Sequence, residues 1–114
     1  MDKFKLSSLD ALAALGKSQK EFITLFEHGS LSVELYQPNK IDQQQPHEQD
    51  EIYVIIAGTG KFTLEKQTFS FASGDFFFVP AGKAHRFTDF SADFSTWVFF
   101  FGPKGGEVPQ KNAN

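Results

Sequence analysis

Along most of the chain the apolar positions alternate with polar ones, and only one short stretch departs from that period. The exception is Leu6-Ser7-Ser8-Leu9-Asp10-Ala11-Leu12-Ala13-Ala14-Leu15-Gly16, where the spacing predicts a helix over residues 6–16. Ser7 or Ser8 is placed to cap its first turn, Asp10 complements that end, and Gly16 is placed to end it in the left-handed conformation. Leu9, Leu12 and Ala13 would share the face that packs against the rest of the molecule.

From Glu21 onward the period is two. Phe22–Phe26 and Leu31–Tyr36 flank Glu27-His28-Gly29-Ser30 as a hairpin, with His28 a solvated turn residue. After the polar stretch from Gln37 to Gln49, further strands are expected at Glu51–Ala57, Lys61–Leu64, Gln67–Phe71, Phe76–Val79 and Phe94–Phe101. Their turns are marked by Gly58-Thr59-Gly60, Ser73-Gly74-Asp75 and Pro80-Ala81-Gly82-Lys83. Seven or eight short strands with regular turn signals predict an antiparallel sandwich or barrel. With 114 residues, and neither repeat nor linker, residues 1–114 are expected to form a single domain. Its barrel core would span about 21–102, followed by a frayed polar tail over 103–114.

Composition narrows the chemistry. The chain has no cysteine, so disulfides and thiolate metal sites are both excluded. A net charge of −3 with scattered basic residues argues against nucleic acid as a partner. No apolar run approaches a membrane-spanning length, and the segment Met1–Leu6 carries no apolar leader, so a cytoplasmic, membrane-free protein is expected. Fifteen phenylalanines suit a barrel packed with rings, and the surplus suits a subunit interface.

Two of the three histidines fall near other metal-ligating groups. On an extended chain Gln45, His47, Gln49 and Glu51 would point to one side, offering amide, imidazole and carboxylate donors together. His85 follows a Pro-x-Gly turn that closes a strand. Tyr53 and Trp97 are candidates to line a cavity, though packing alone would explain both. Arg86 is a weaker candidate for an anion site, because adjacent side chains on a strand face opposite ways. Asp50, Asp89 and Asp93 read as turn residues.

The segment Gly74 to Asp89 resembles the second signature of the cupin superfamily: Gly74, five residues, Pro80-Ala81-Gly82, two residues and His85. Asp89 stands where the family has asparagine. The first signature is matched by His47, Glu51 and Gly58, with Gln45 in place of one histidine; in the alternative register Gln49 takes that place. The resemblance implies a double-stranded β-helix, the jelly-roll cupin barrel, with a short N-terminal helix. It also implies one divalent transition metal (Fe, Mn, Ni or Zn) held inside by His47, Glu51 and His85, completed by Gln45 or Gln49. Family relatives imply dioxygenase, isomerase, lyase or epimerase chemistry on a small molecule, and pairing as a homodimer. Two other readings are a non-catalytic sugar- or carboxylate-binding sensor and a barrel that has lost its metal.

Overall fold

The computed structural model describes residues 4–109. Helix α1 runs from Ser8 to Ser18, and Ser7 is its cap: the Ser7 hydroxyl accepts from the Asp10 N–H at 3.0 Å. The helix passes through Gly16 and stops two residues later. There the Ser18 hydroxyl donates to the Leu15 carbonyl at 2.7 Å and accepts from the Lys20 N–H at 3.1 Å, while Gln19 takes the left-handed conformation. Local side-chain bonds at Ser18 thus end the helix where a glycine was expected to. The packed face also differs from expectation. Ala11 and Leu15 are buried, Leu12 packs beside them, and Leu9 is 79% exposed.

Eight strands follow: β1 (Phe22–His28), β2 (Leu31–Tyr36), β3 (Asp50–Ala57), β4 (Gly60–Leu64), β5 (Gln67–Phe71), β6 (Phe76–Val79), β7 (His85–Thr88) and β8 (Ser95–Phe101). The first sheet has the order β1-β2-β8-β3-β6 and the second β5-β4-β7, with every pairing antiparallel. Together they form the jelly-roll barrel. Strand β7 was not anticipated, because its four residues carry a polar–apolar alternation too short to stand out; its burial nevertheless alternates strictly.

The pleat sorts the side chains into two cores. Inside the barrel, Phe71, Phe87 and Phe94 pack with ring centroids 4.7 to 5.5 Å apart, and Phe62 extends the cluster to Tyr53. Outside, Leu35 of β2 and Ile23 and Leu25 of β1 meet Ala11 and Leu15 of α1, with Trp97 of β8 completing the contact. Trp97 therefore faces the helix side of the sheet and not the barrel interior, a consequence of its odd position on β8. Gly58, in the β3–β4 turn, has φ +95°, and a Cβ there would lie 2.6 Å from the Phe94 Cα. That close approach admits only glycine.

The segment after β8 is tied down rather than frayed as far as Glu107. Gly102 N–H donates to the Ser30 hydroxyl at 3.0 Å, Gly105 N–H to the Glu48 carbonyl at 2.7 Å, and Glu107 N–H to the Asp50 carboxylate at 2.9 Å. Residues 110–114 of the expected frayed tail lie outside the described residues. Asp50 is no turn residue: it opens β3, is buried, and its other oxygen accepts from the Ala81 N–H at 2.9 Å. No helix among the described residues is long and apolar enough to cross a membrane.

Since Leu35 is fully buried under α1, Leu35→Ala should destabilise the fold by about 2–5 kcal/mol, whereas Leu9→Ala should stay within about 0.5 kcal/mol. Urea denaturation of the two variants checks this; equal losses would contradict the orientation of α1.

Candidate metal centre

Three separate segments deliver the candidate ligands. Glu51 is the second residue of β3 and faces inward with Tyr53, paired through the backbone with Val79 of β6 and Phe100 of β8. His85 opens β7 opposite Leu64 of β4. His47 lies in the loop before β3, and its carbonyl accepts from the Gly82 N–H at 2.7 Å. That bond fastens the loop carrying the first ligand to the turn preceding the third. The His47 ring stands edge-on to Phe100 with centroids 4.6 Å apart, and 5.9 Å from the His85 ring.

One ligand atom from each of His47, Glu51 and His85 lies within 4.8 Å of the others. Glu51 is 1% exposed and His85 6%. The Nε2 atoms of both histidines and both oxygens of Glu51 are buried without a hydrogen-bond partner. Buried polar atoms are normally satisfied, so four orphans converging on one point is the signature of a site shaped for a cation. The tautomer of His85 agrees. Its Nδ1 lies 2.9 Å from the Lys83 carbonyl, which can only accept, so Nδ1 carries a proton and the neutral ring presents a lone pair at Nε2. That nitrogen stands 3.3 Å from Glu51 Oε1. Burial by itself would lower the His85 pKa; the contact with Glu51, the bond to the Lys83 carbonyl and the charges of Glu51 and Asp42 together outweigh it and raise the pKa. A proton on Nε2 or a metal ion between the three groups would satisfy this arrangement, and the three ligand atoms are close enough to hold an ion.

Neither glutamine proposed to complete the set is brought to it. Gln45 is exposed. The Gln49 amide is committed elsewhere, donating to the Ser30 carbonyl at 3.1 Å and the Gly102 carbonyl at 3.0 Å. The alternation argument failed because residues 43–49 are not a strand: the chain bends at Glu48 and Gln49, and side-chain parity is lost. Gln44 faces the interior instead. Its Oε1 accepts from the Tyr53 hydroxyl at 2.9 Å, and its Nε2 donates to Asp42 Oδ2 at 3.3 Å.

Asp42 was missed altogether. It is 1% exposed and accepts from the Tyr36 hydroxyl at 2.8 Å, the Phe87 N–H at 2.8 Å and the Gln44 N–H at 3.0 Å. Nothing in its polar surroundings marked it. Arg86, considered for an anion, lies on the outward side of β7, where its guanidinium donates to the main-chain carbonyls of Asp42 and Gln44 and so braces the same loop. His28, at the end of β1, is exposed and stacks on Phe26, while Asp93 accepts from the Ser91 hydroxyl.

Residues 32–98 match the cupin domain. The chain belongs to the cupin family. An uncharacterized protein of Streptomyces coelicolor is 33% identical over 106 residues, covering 91% of this chain and 99% of its own. Among solved structures, a protein from Neisseria meningitidis superposes over 86% of this cupin and 99% of its own chain, with a TM-score of 0.67 at 14% identity. The DMSP lyase DddQ from Ruegeria pomeroyi is 25% identical, covering 71% of this cupin and 46% of its own chain, with a TM-score of 0.60. The Neisseria likeness shows the fold alone.

Removing the Asp42 carboxylate would leave the Phe87 N–H and the Tyr36 hydroxyl unpaired inside the barrel. Asp42→Ala is therefore expected to cost about 3 kcal/mol or more in chemical denaturation, with Tyr36→Phe recovering part of that loss in the double variant.

Proposed function

We propose that this cupin is a metal-dependent enzyme acting on a small molecule, with one divalent transition ion held by His47, Glu51 and His85. The observation that carries the reading is the set of four buried, unpartnered ligand atoms. Two imidazoles and one carboxylate, with no thiolate, suit Fe, Mn, Ni or Zn. Three protein ligands leave coordination positions open, and an ion there would polarise a bound oxygen as a Lewis acid.

The chain's own groups complete the arrangement. Tyr53 is fully buried; burial above all, with the Glu51 charge behind it, holds its pKa well above the usual phenol value. It therefore stays neutral, a fixed dipole behind the ligands whose hydroxyl donates to the Gln44 side chain. Gln44 aims the hydroxyl, and Asp42 holds Gln44. Phe100 and Val98 line the approach and limit water. The 25% identity to a DMSP lyase supports a lyase-type reaction over an oxygen-consuming one. The donor set itself favours a second reading, because two histidines and one carboxylate also serve oxygen-activating iron enzymes.

Elemental analysis should find about one equivalent of transition metal per chain and little in His85→Ala. Chelation should lower the melting temperature of the loaded parent, by about 10 °C where free metal had stood near 100 times its Kd, and leave His85→Ala unchanged. A metal-free parent after incubation with Fe, Mn, Ni and Zn would remove the proposal. Oxygen uptake by the iron-loaded protein would select the second reading over the first.

We also propose that two copies pair through the outer face of the first sheet. Phe76 and Phe78 point outward from its edge strand β6 and are 60% and 45% exposed. An open edge flanked by exposed rings suits a second, symmetry-related copy. Light scattering should report a dimer that Phe76→Lys and Phe78→Lys together convert to monomer; a monomeric parent would refute it.

A further inference from the structure

A cavity of about 670 Å³ leads from the barrel mouth to His47, walled by Phe22, Glu34, Tyr36, Gln44 and Phe100. Glu34 is its distinctive member. On β2 the odd residues Val33 and Leu35 are buried on the outer side of the sheet, so Glu34 and Tyr36 belong to the inner side. Among the described residues, the half-buried Glu34 carboxylate has one hydrogen-bond partner, the Thr24 hydroxyl at 3.4 Å. The ion pairs among the described residues join Lys83 to Glu65 and Lys104 to Glu48, and neither reaches Glu34. Burial raises its pKa, the Thr24 bond opposes that, and the charges of Glu51 and Glu27 add to the rise. A negative group in this position lacks a positive counterpart.

The walls around it suit one. The Tyr36 hydroxyl is committed to Asp42, so Tyr36 offers its ring to the cavity, as do Phe22 and Phe100. Aromatic faces beside a carboxylate attract an organic cation. Charge balance points the same way. Asp42 keeps its charge, but its oxygens are held by the Tyr36 hydroxyl and the Gln44 and Phe87 N–H groups, and the Arg86 guanidinium, bonded to the Asp42 main-chain carbonyl from outside the barrel, is the positive group beside it. Lys20 and Glu21 also line the cavity; both are exposed, and their charges cancel. A divalent ion on Glu51 and two neutral imidazoles leaves one positive charge at the centre, and Glu34 leaves one negative charge at the wall.

We propose that Glu34, with the rings of Phe22, Tyr36 and Phe100, is the subsite for an ammonium-type cation, so that the ligand is a small zwitterion whose anionic end meets the metal. This rests on the metal reading for the anionic end only. An anionic tail would be repelled by Glu34, and a purely apolar one would leave the carboxylate without a partner.

The test uses the full chain, with metal content measured beforehand. The probes are trimethylammonio-carboxylates with one, two or three methylenes, each matched to the neutral tert-butyl carboxylate of the same shape. Calorimetry should show the cationic member binding about tenfold tighter at one or more of these lengths. In Glu34→Gln that preference should collapse to about threefold or less, with metal content unchanged. Equal binding within every pair, a preference that survives in Glu34→Gln, or loss of metal from Glu34→Gln would each overturn the inference, the last by making Glu34 a ligand. A loaded centre without cation preference fails this inference alone. A cation preference in protein that never loads metal fails the metal reading alone and sustains the subsite.

Discussion

A carboxylate sealed at 1% exposure with neither oxygen hydrogen-bonded is the constraint around which this barrel is arranged. Burying an unpaired charge costs several kcal/mol, and the usual relief is a compensating charge. Here the nearest groups are the Nε2 atoms of two imidazoles, that of His85 turned inward by the bond of its Nδ1 to the Lys83 carbonyl. Only a cation or a shared proton settles such a triad. Hydrocarbon packing from Phe62 to Phe94 closes the side of the barrel beneath it.

Around this centre a second polar layer carries no ligand but sets the geometry. Asp42 collects main-chain and side-chain donors from three segments: Tyr36 at the end of β2, Gln44 in the following loop and Phe87 on β7. Gln44 transmits that order to Tyr53. On the opposite side, Asp50 clamps the turn before His85 and the segment after β8. Two buried aspartates therefore hold the loops whose backbones position His47 and His85, and Arg86 reinforces one of them from outside.

Much of this was legible in the sequence because it depends on local chemistry. Period-two alternation located seven strands, and Gly74, Pro80, Gly82 and His85 fixed a turn whose spacing is rigid. Glu51 and Tyr53 could be oriented together because β3 is regular. Legibility failed where the backbone is irregular. Parity carried through Gln45 and Gln49 supposed an extended chain, and a bend at Glu48 and Gln49 sends the Gln49 amide toward Gly102 instead. Asp42 and Asp50 resembled solvated loop residues because the Phe87, Ala81 and Glu107 N–H groups that they accept from lie in distant segments and leave no trace in spacing. The register of α1 was misjudged for a related reason: Leu9 is as apolar as Leu15, and only the sheet decides which is covered.

The strand order has a consequence for how the molecule comes into being. Strand β8, last of the eight along the chain, lies between β2 and β3 at the middle of the larger sheet. Until it arrives, both neighbours present open edges, and Glu51 has no wall on that side. A chain made from its N-terminus cannot close the barrel progressively; the larger sheet is complete only when β8 inserts between β2 and β3. Such non-local closure is intrinsically slow. The candidate metal centre is thus among the last features of the barrel to form, once β8 has paired with β3.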